Sequence, residues 1–229
     1  MHRWHAADSR EAQAQALAVN IGDWLARTVL RDGAAGLRVS GGRSPVALFE
    51  CLAALELPWD RVRVGLVDER FVAPGDAHSN ATLVRRHLLR GAAGAAVFDD
   101  LLEPGLDLDG CVARANARAP RPGPATLTVL GMGDDGHTAS WFADAPELEQ
   151  AFDPARDAPY LALHPRSAPY ARISLSLRAV LDSACLALLL DGDVKRAVFE
   201  RAAADSASTL PVARILHQNK VELDVHWAA

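Results

Sequence analysis

The residues best suited to chemistry follow an apolar run that is typical of a buried strand. Residues 127–142 read LTVLGMGDDGHTASWF, and glycines, carboxylates and one imidazole come directly after the run. Because imidazole exchanges protons near neutral pH, His137 is a candidate general base, with Asp135 as a catalytic carboxylate beside it. Glycines let the backbone approach a ligand closely, which predicts oxyanion-stabilising N–H groups at Gly131, Gly133 and Gly136.

A second candidate is the segment SGGRSP at residues 40–45, between a predicted strand and a predicted helix. Its glycines free backbone N–H groups, its serines supply hydroxyls, and a proline suits the first helical turn. The positive end of that helix would face a bound anion. The segment predicts a phosphate-binding loop that consists of Ser40, Gly41, Gly42, Arg43 and Ser44. By itself, the same pattern is also typical of a plain strand-to-helix turn.

Charged residues after another apolar run form a third candidate group. Residues 62–67 are followed directly by Asp68, Glu69 and Arg70, and Asn80 comes shortly afterwards. Three consecutive charges at a strand end suit a binding site better than a packed core. A solvated loop would give the same pattern.

Two later cations, Arg172 and Lys195, are candidate phosphate ligands. Arginine offers a planar fork for phosphate oxygens, and lysine offers a mobile point charge. A metal site is not predicted, since none of the eight histidines forms a His-x-x-x-His pair.

Alternating strands and helices must position these residues. Apolar runs with strand character alternate with segments of helical spacing, and most of the predicted strands are apolar on both faces. That pattern predicts an α/β fold in which a mainly parallel sheet has helices on both faces. We expect one domain over residues 1–229, a short helix that begins at Thr138, and a loop at residues 120–124.

Composition restricts the class of protein. The 229 residues are 50% hydrophobic and carry a net charge of −5, which argues against binding to nucleic acid because that needs a basic face. No signal peptide or membrane-spanning run is visible. Three widely spaced cysteines are typical of free thiols in a reducing compartment. We expect a cytoplasmic protein that is a monomer or a weak homodimer.

Taken together and in this order, the motifs resemble the 6-phosphogluconolactonase family. The matching pieces are SGGRSP, VDERFV with HSN, GMGDDGHTASWF, APYARISLS and DGDVK, which lie between residues 40 and 195. The resemblance implies a Rossmann-like α/β fold, shared with glucosamine-6-phosphate deaminases and ribose-5-phosphate isomerases. It also implies a cofactor-free hydrolase that opens 6-phospho-D-glucono-1,5-lactone to 6-phospho-D-gluconate in the oxidative pentose phosphate pathway.

The resemblance also implies residue roles. His137 matches the family's general base. The family's phosphate loop falls on Gly41, Gly42 and Ser44, and its distal cations fall on Arg172 and Lys195. Its substrate-contacting block falls on Asp68 and Arg70. The usual loop is SGGSTP, and here Arg43 and Ser44 replace serine and threonine. Ser44 keeps a hydroxyl, whereas Arg43 either binds phosphate or points to solvent.

The residues are sufficient for lactone chemistry. A δ-lactone is an activated ester, so its hydrolysis requires neither a metal nor a covalent nucleophile. His137 can take a proton from the water that attacks C1, and either Asp135 or the local backbone orients its ring. The remote phosphate supplies binding energy that fixes C1 against the water.

Two other functions share parts of this pattern. Glucosamine-6-phosphate deaminases have a glycine-rich phosphate loop and an Asp-Gly-His turn, but they carry an acidic residue five positions after the histidine. This chain has Phe142 there. A non-catalytic sugar-phosphate sensor would also keep the phosphate loop. Such proteins normally carry a DNA-binding segment, and no helix-turn-helix with a basic face is visible.

Overall fold

The computed structural model of the protein describes residues 2–119 and 123–229, and within them ten strands and eight α-helices occur. The strands are β1 (His2–Ala7), β2 (Ala35–Val39), β3 (Val62–Leu66), β4 (Asp68–Arg70), β5 (Val97–Asp99), β6 (Thr126–Gly131), β7 (Tyr160–Leu163), β8 (Arg172–Leu175), β9 (Cys185–Asp191) and β10 (Leu223–Ala228). The helices are α1 (Arg10–Asp32), α2 (Val46–Ala53), α3 (Asn80–His87), α4 (Leu108–Arg118), α5 (Leu148–Phe152), α6 (Leu177–Leu181), α7 (Gly192–Ala204) and α8 (Ala213–Leu216). Of the predicted loop at 120–124, residues 120–122 lie outside the described residues.

Seven strands form one parallel sheet in the order β1-β10-β9-β6-β2-β3-β5, and a smaller antiparallel sheet has the order β4-β8-β7. The predicted α/β fold with a mainly parallel sheet is confirmed. Neither β1 nor the small sheet was predicted. The sequence of β1, HRWHAA, is polar because it forms an edge strand that is half exposed.

The predicted helix at Thr138 is wrong. These residues form a turn that is closed by a bridge between Thr138 and Trp141. The Thr138 hydroxyl donates to the Gly131 carbonyl at 2.7 Å, and Ala139 has a φ of 51°. A left-handed backbone conformation at this residue is incompatible with a right-handed helix.

The local sequence of helix α1 explains where it begins and ends. The Ser9 hydroxyl accepts a hydrogen bond from a backbone N–H of the first turn, and Gly33 ends the helix with a φ of 82°. Gln13, buried on this helix, donates to the carbonyls of Leu190 and His226, both at 2.8 Å. These bonds tie α1 to the carboxyl ends of β9 and β10.

The order of the strands determines where a ligand can bind. From β2 the chain proceeds outward through β3 to β5, and it then returns to β6 on the other side of β2 and continues through β9 to β10. A reversal of this kind leaves a crevice outside the carboxyl ends of the two central strands. Here these strands are β2 and β6, and the segments that follow them are residues 40–45 and 132–137.

Val67 connects the two sheets. Its N–H donates to the Val39 carbonyl of the large sheet at 3.0 Å, and its carbonyl accepts from the Leu175 N–H of the small sheet at 2.8 Å. The strands β3 and β4 are therefore one run of extended chain that changes sheets at this residue. The change brings Asp68 to the edge where the crevice lies.

Glu69 is completely buried and fixes the chain that follows β4. Its carboxylate accepts from the backbone N–H groups of Arg70, Asn80 and Ala81, each at 2.7 Å, and from the Ser79 hydroxyl at 2.9 Å. Burial raises the pKa of this carboxyl, and the four donors oppose the shift. The carboxylate holds the start of α3 against β4, which sets the position of Asn80.

One face of β2 and β3 departs from the predicted apolar pattern. Gly36 pairs with Arg63, and Arg38 pairs with Gly65, so arginine and glycine alternate on this face. A Cβ atom at Gly36 would lie 2.2 Å from Thr126 Oγ1, whereas one at Gly65 would meet only Arg38 Cγ, at 3.7 Å. Packing therefore requires glycine at position 36 and leaves room at position 65.

We expect Gly36→Ala to lower the free energy of unfolding by about 1–3 kcal/mol, because the added methyl overlaps a stiff β-branched side chain. Gly65→Ala is the matched control and should change it by less than about 1 kcal/mol. Urea denaturation followed by circular dichroism measures both. Equal losses in the two variants would contradict the packing difference.

We expect Glu69→Gln to lower the free energy of unfolding by about 2–3 kcal/mol, since an amide would turn N–H groups toward buried donors. Glu200→Gln, on the exposed face of α7, is the control and should lie within about 0.5 kcal/mol of the wild type. The same urea titration applies. A wild-type midpoint for Glu69→Gln would show that the carboxylate does not hold α3.

Candidate active site

The turn after β6 places the predicted base. His137 Nδ1 lies 2.5 Å from Asp135 Oδ1, and the His137 backbone N–H donates to the same oxygen at 3.1 Å. The hydrogen bond from the imidazole lowers the pKa of the Asp135 carboxyl, against the opposing effect of burial. An ionised carboxylate only accepts hydrogen bonds, so Nδ1 carries the proton and Nε2 is the acceptor of the neutral ring.

The glycines of this turn provide space and backbone geometry. A Cβ atom at Gly133 would lie 2.3 Å from the His137 ring, so only glycine lets the ring rest on the backbone here. Gly136 has a φ of 80°, which favours glycine. The Gly133 N–H already donates to the His137 carbonyl at 2.9 Å, and the Gly136 N–H to the Gly133 carbonyl at 3.0 Å. Both N–H groups are therefore engaged within the turn, which does not favour their predicted role in binding an oxyanion.

Phe142 lies against the imidazole of His137. The two ring centroids are 4.1 Å apart and the planes are inclined by 21°. The guanidinium carbon of Arg172 lies 5.7 Å from the centroid of the same phenyl ring. Burial lowers the pKa of this guanidinium, and Asp68 opposes the shift. Arg172 is thus buried behind Phe142, outside the residues that line the cleft, and its position does not favour the predicted phosphate contact.

The segment after β2 packs tightly on Asn80. A Cβ atom at Gly41 would lie 1.9 Å from Asn80 Oδ1, and Asn80 Nδ2 donates to the Asp68 carbonyl at 2.8 Å. Gly42 has a φ of 102° and turns the chain toward Ser44. The Ser40 hydroxyl is buried and has no hydrogen-bond partner within residues 2–119 and 123–229. A ligand in the crevice can therefore bond to it.

Asp68 and Arg70 bring opposite charges to the same crevice. Asp68 is buried, and its Oδ2 accepts from the Ser140 hydroxyl at 2.5 Å. Arg70 Nη1 donates to the His78 carbonyl at 2.5 Å, and its Nε is buried with no partner among the described residues. Each side chain is fixed by a hydrogen bond to the protein, and each has further hydrogen-bonding atoms that can contact a ligand.

The phosphate loop is joined to Lys195 through Asp191. Asp191 Oδ1 accepts from the Ser44 hydroxyl and from Lys195 Nζ, both at 2.7 Å, and Lys195 Nζ lies 3.3 Å from Ser44 Oγ. Arg10 Nη1 lies 3.3 Å from the other carboxylate oxygen. Although burial works against its ionisation, the hydrogen bonds from Lys195 and Ser44 keep the pKa of Asp191 below its usual range. The Asp191 carboxylate therefore holds two cations, Lys195 and Arg10, close to the Ser44 hydroxyl.

These segments enclose one cleft of about 780 Å³. The predicted site residues that line it are Ser40, Gly41, Gly42, Arg43, Ser44, Asp68, Arg70, Asn80, Gly131, Gly133, His137 and Lys195. Asp135, Gly136 and Arg172 are not among the residues that line it, and Asp135 is exposed. Gly131 leaves open space where a side chain would project.

Three residues of the site were not predicted to act in it: Arg10, Asp191 and Phe142. Asp191 is four residues before Lys195, a spacing that places both on one side of a helical turn and that was readable in the sequence. Arg10 gave no such signal, because it enters the cleft from the start of α1, far from the other cations in sequence. The stacking of Phe142 on His137 depends on the turn that replaced the predicted helix.

Other features of the described residues bear on function. Within residues 2–119 and 123–229, no group of three or more His, Cys, Asp or Glu residues is placed to hold a metal ion. None of the helices in this part of the chain is long and apolar enough to cross a membrane. Cys51, Cys111 and Cys185 are free thiols, and burial raises the pKa of Cys185 to about 12.

Known proteins match the chain over nearly its whole length. It is 39% identical over 228 residues to a 6-phosphogluconolactonase of Mesorhizobium japonicum, covering 99% of this chain and 95% of the relative. It is 41% identical over 222 residues to one of Pseudomonas aeruginosa, covering 96% and 92%. The crystal structure of a 6-phosphogluconolactonase from Shewanella baltica superimposes with a TM-score of 0.95 at 36% identity, covering 100% of this chain and 98% of that one.

The family model described as glucosamine-6-phosphate isomerases/6-phosphogluconolactonase matches residues 8–227. The match includes every segment that lines the cleft. The chain therefore belongs to the family of glucosamine-6-phosphate isomerases and 6-phosphogluconolactonases, and within it is an enzyme of the 6-phosphogluconolactonase kind.

Proposed function

We propose that the protein hydrolyses 6-phospho-D-glucono-1,5-lactone to 6-phospho-D-gluconate and so acts in the oxidative pentose phosphate pathway. One observation carries the proposal: a carboxylate-bound imidazole, His137, opens into the cleft that also contains Lys195 and Ser44. Such a cleft offers a base and an anion site to one substrate. The relatives that are named 6-phosphogluconolactonases support the same substrate.

In the proposed reaction His137 is the general base. Its Nε2 takes a proton from a water molecule as the water oxygen bonds to C1 of the lactone. Asp135 stabilises the imidazolium that forms and keeps the ring oriented. The bond from C1 to the ring oxygen then breaks, and the imidazolium returns the proton to that oxygen, which becomes a hydroxyl. Water is added overall, and His137 ends in its initial state.

The phosphate is bound by the loop and by the cations joined to it. Lys195 and Ser44 are held in place by Asp191, so little side-chain freedom is lost when a phosphate binds. Arg10 adds a second cation beside the same carboxylate. Arg43 lines the cleft and is exposed, so it adds positive charge at the entrance. Binding energy from the phosphate fixes C1 near His137.

Phe142 disfavours the deaminase alternative. A ring-opening and isomerisation reaction needs an additional acid or base near the histidine, and deaminases have an acidic residue at this position. Here a phenyl ring stacks on the imidazole instead, and it is buried. The ring excludes water from one side of His137 and supplies no proton-transfer group.

We expect His137→Gln to lower kcat by about 100- to 10,000-fold with a small change in KM, because it removes the base and keeps the volume. Glucose 6-phosphate is oxidised in place to supply the lactone, a coupled dehydrogenase reports 6-phosphogluconate, and spontaneous opening is subtracted. His164→Gln, which changes an exposed histidine bonded to Glu147 outside the cleft, is the control and should retain nearly full activity. Near-wild-type turnover in His137→Gln would contradict the proposed role of His137 as the general base.

We expect Lys195→Gln to raise KM by about 10- to 100-fold with a smaller effect on kcat, because one charged hydrogen bond to the phosphate is lost. Lys220→Gln, an exposed substitution at the chain's other lysine, should leave both constants unchanged. The same coupled assay over a range of lactone concentrations measures them. A loss confined to kcat would contradict a phosphate-anchoring role.

A further inference from the structure

A second cavity of about 350 Å³ lies away from the active-site cleft, and the two share no lining residue in the part of the chain that the structure describes. We call it the arginine cavity. Its floor is the face of β2 and β3 on which arginine and glycine alternate, together with Thr126 of β6 and Asp99 of β5. Its walls are α4, α6 and the chain just before β7. It therefore lies between the large sheet and the layer that covers it, before the carboxyl ends of the strands.

The floor is open because two of its positions are glycine. Neighbouring strands place Arg38 beside Gly65 and Arg63 beside Gly36. A side chain at Gly65 would project into free space, since among the described residues Arg38 Cγ is the only atom within 4 Å of its Cβ. Protein interiors are normally close-packed, and a parallel sheet normally carries apolar side chains on both faces. A polar, unfilled face at this position is suited to hold a ligand.

The lining carries an excess of positive charge. Among the described residues it contains six arginines and four aspartates, a net charge of +2, whereas the whole chain has a net charge of −5. Arg63 is paired with Asp99 at 2.5 Å, and Arg178 with Asp157 at 2.7 Å. The excess must come from arginines that are not compensated in this way.

Arg38, Arg118 and Arg156 supply three positive charges, since among the described residues none of them pairs with a carboxylate, and the charge of Asp182 offsets one of the three. Arg114 and Asp100 are paired with Glu103 and Arg85, which lie outside the lining. Arg38 Nη1 donates to the Ala179 carbonyl and Arg156 Nη2 to the Tyr160 carbonyl, both at 3.2 Å. These bonds hold each guanidinium at the cavity wall and use only part of its five donors. Arg156 Nε is buried, and no residue of the described chain accepts from it.

We propose that the arginine cavity binds a small phosphomonoester at a site separate from the active site. A phosphomonoester is close to a dianion at neutral pH, which matches the excess of two positive charges. Guanidinium groups present paired donors that fit phosphate oxygens. The volume lies at the lower end of that of small-molecule sites, which suits a sugar phosphate rather than a dinucleotide. The proposal does not depend on the proposed lactonase activity.

Equilibrium dialysis of the full chain against radiolabelled glucose 6-phosphate tests the proposal. We expect Gly65→Val, which fills the cavity without changing charge, to lose one bound equivalent relative to the wild type. Arg38→Gln and Arg156→Gln should lose the same equivalent. Lys195→Gln should keep it, because that substitution changes only the active-site cleft. Arg201→Gln, an arginine of α7 outside the cavity, is the charge-matched control and should bind as much as the wild type.

Circular dichroism shows whether each variant is folded. If folded Gly65→Val and Arg38→Gln bind as many equivalents as the wild type, the proposal is overturned. It is also overturned if succinate displaces the label from Lys195→Gln as effectively as inorganic phosphate does, since the site would then not select phosphate. A protein that lacks lactonase activity but loses an equivalent in Gly65→Val would refute the proposed function and leave this site standing.

Discussion

The hydrogen bonds of Val67 to both sheets are the constraint on which the site depends. Because the chain changes sheets at this residue, Asp68 reaches the crevice while its neighbour Glu69 is turned into the protein interior. A buried carboxylate is tolerated only when donors surround it, and the start of α3 supplies them. These bonds place Asn80 against Gly41. One wall of the cleft is therefore built from three segments that are distant in sequence, those of Gly41, Asp68 and Asn80.

Glycine has a different function at each wall of the cleft. At Gly133 and Gly41 the missing side chain lets the His137 ring and the Asn80 amide rest directly on backbone. At Gly131 it keeps the cleft open. Preorganisation of this kind reduces the entropy that a ligand must overcome, because the side chains are already ordered by close contacts. The shared carboxylate of Asp191 has the same effect on Lys195 and Ser44.

The two cavities use the large sheet in different ways. The active-site cleft lies outside the carboxyl ends of β2 and β6, where the order of strands leaves a crevice in any fold of this kind. The arginine cavity lies on the face of the sheet and exists only because particular side chains are small or polar there. The first follows from topology, whereas the second is a property of this chain's residues.

The sequence by itself determined the fold class, most of the helices and strands, the ligand edge of the sheet and the family, because hydrophobic periodicity, caps and glycine-rich motifs are local signals. It also placed His137 and Lys195 in segments that line one cleft. Only the tertiary structure decided which groups are free to act. The Gly133 and Gly136 N–H groups are already bonded within their own turn. Arg172 is buried behind Phe142. Arg10, near the start of the chain, reaches the cleft through its ion pair with Asp191. The contacts of Arg172 and Arg10 depend on residues that are distant in sequence, and those of the two glycines depend on the conformation of the turn, so no local pattern encodes them.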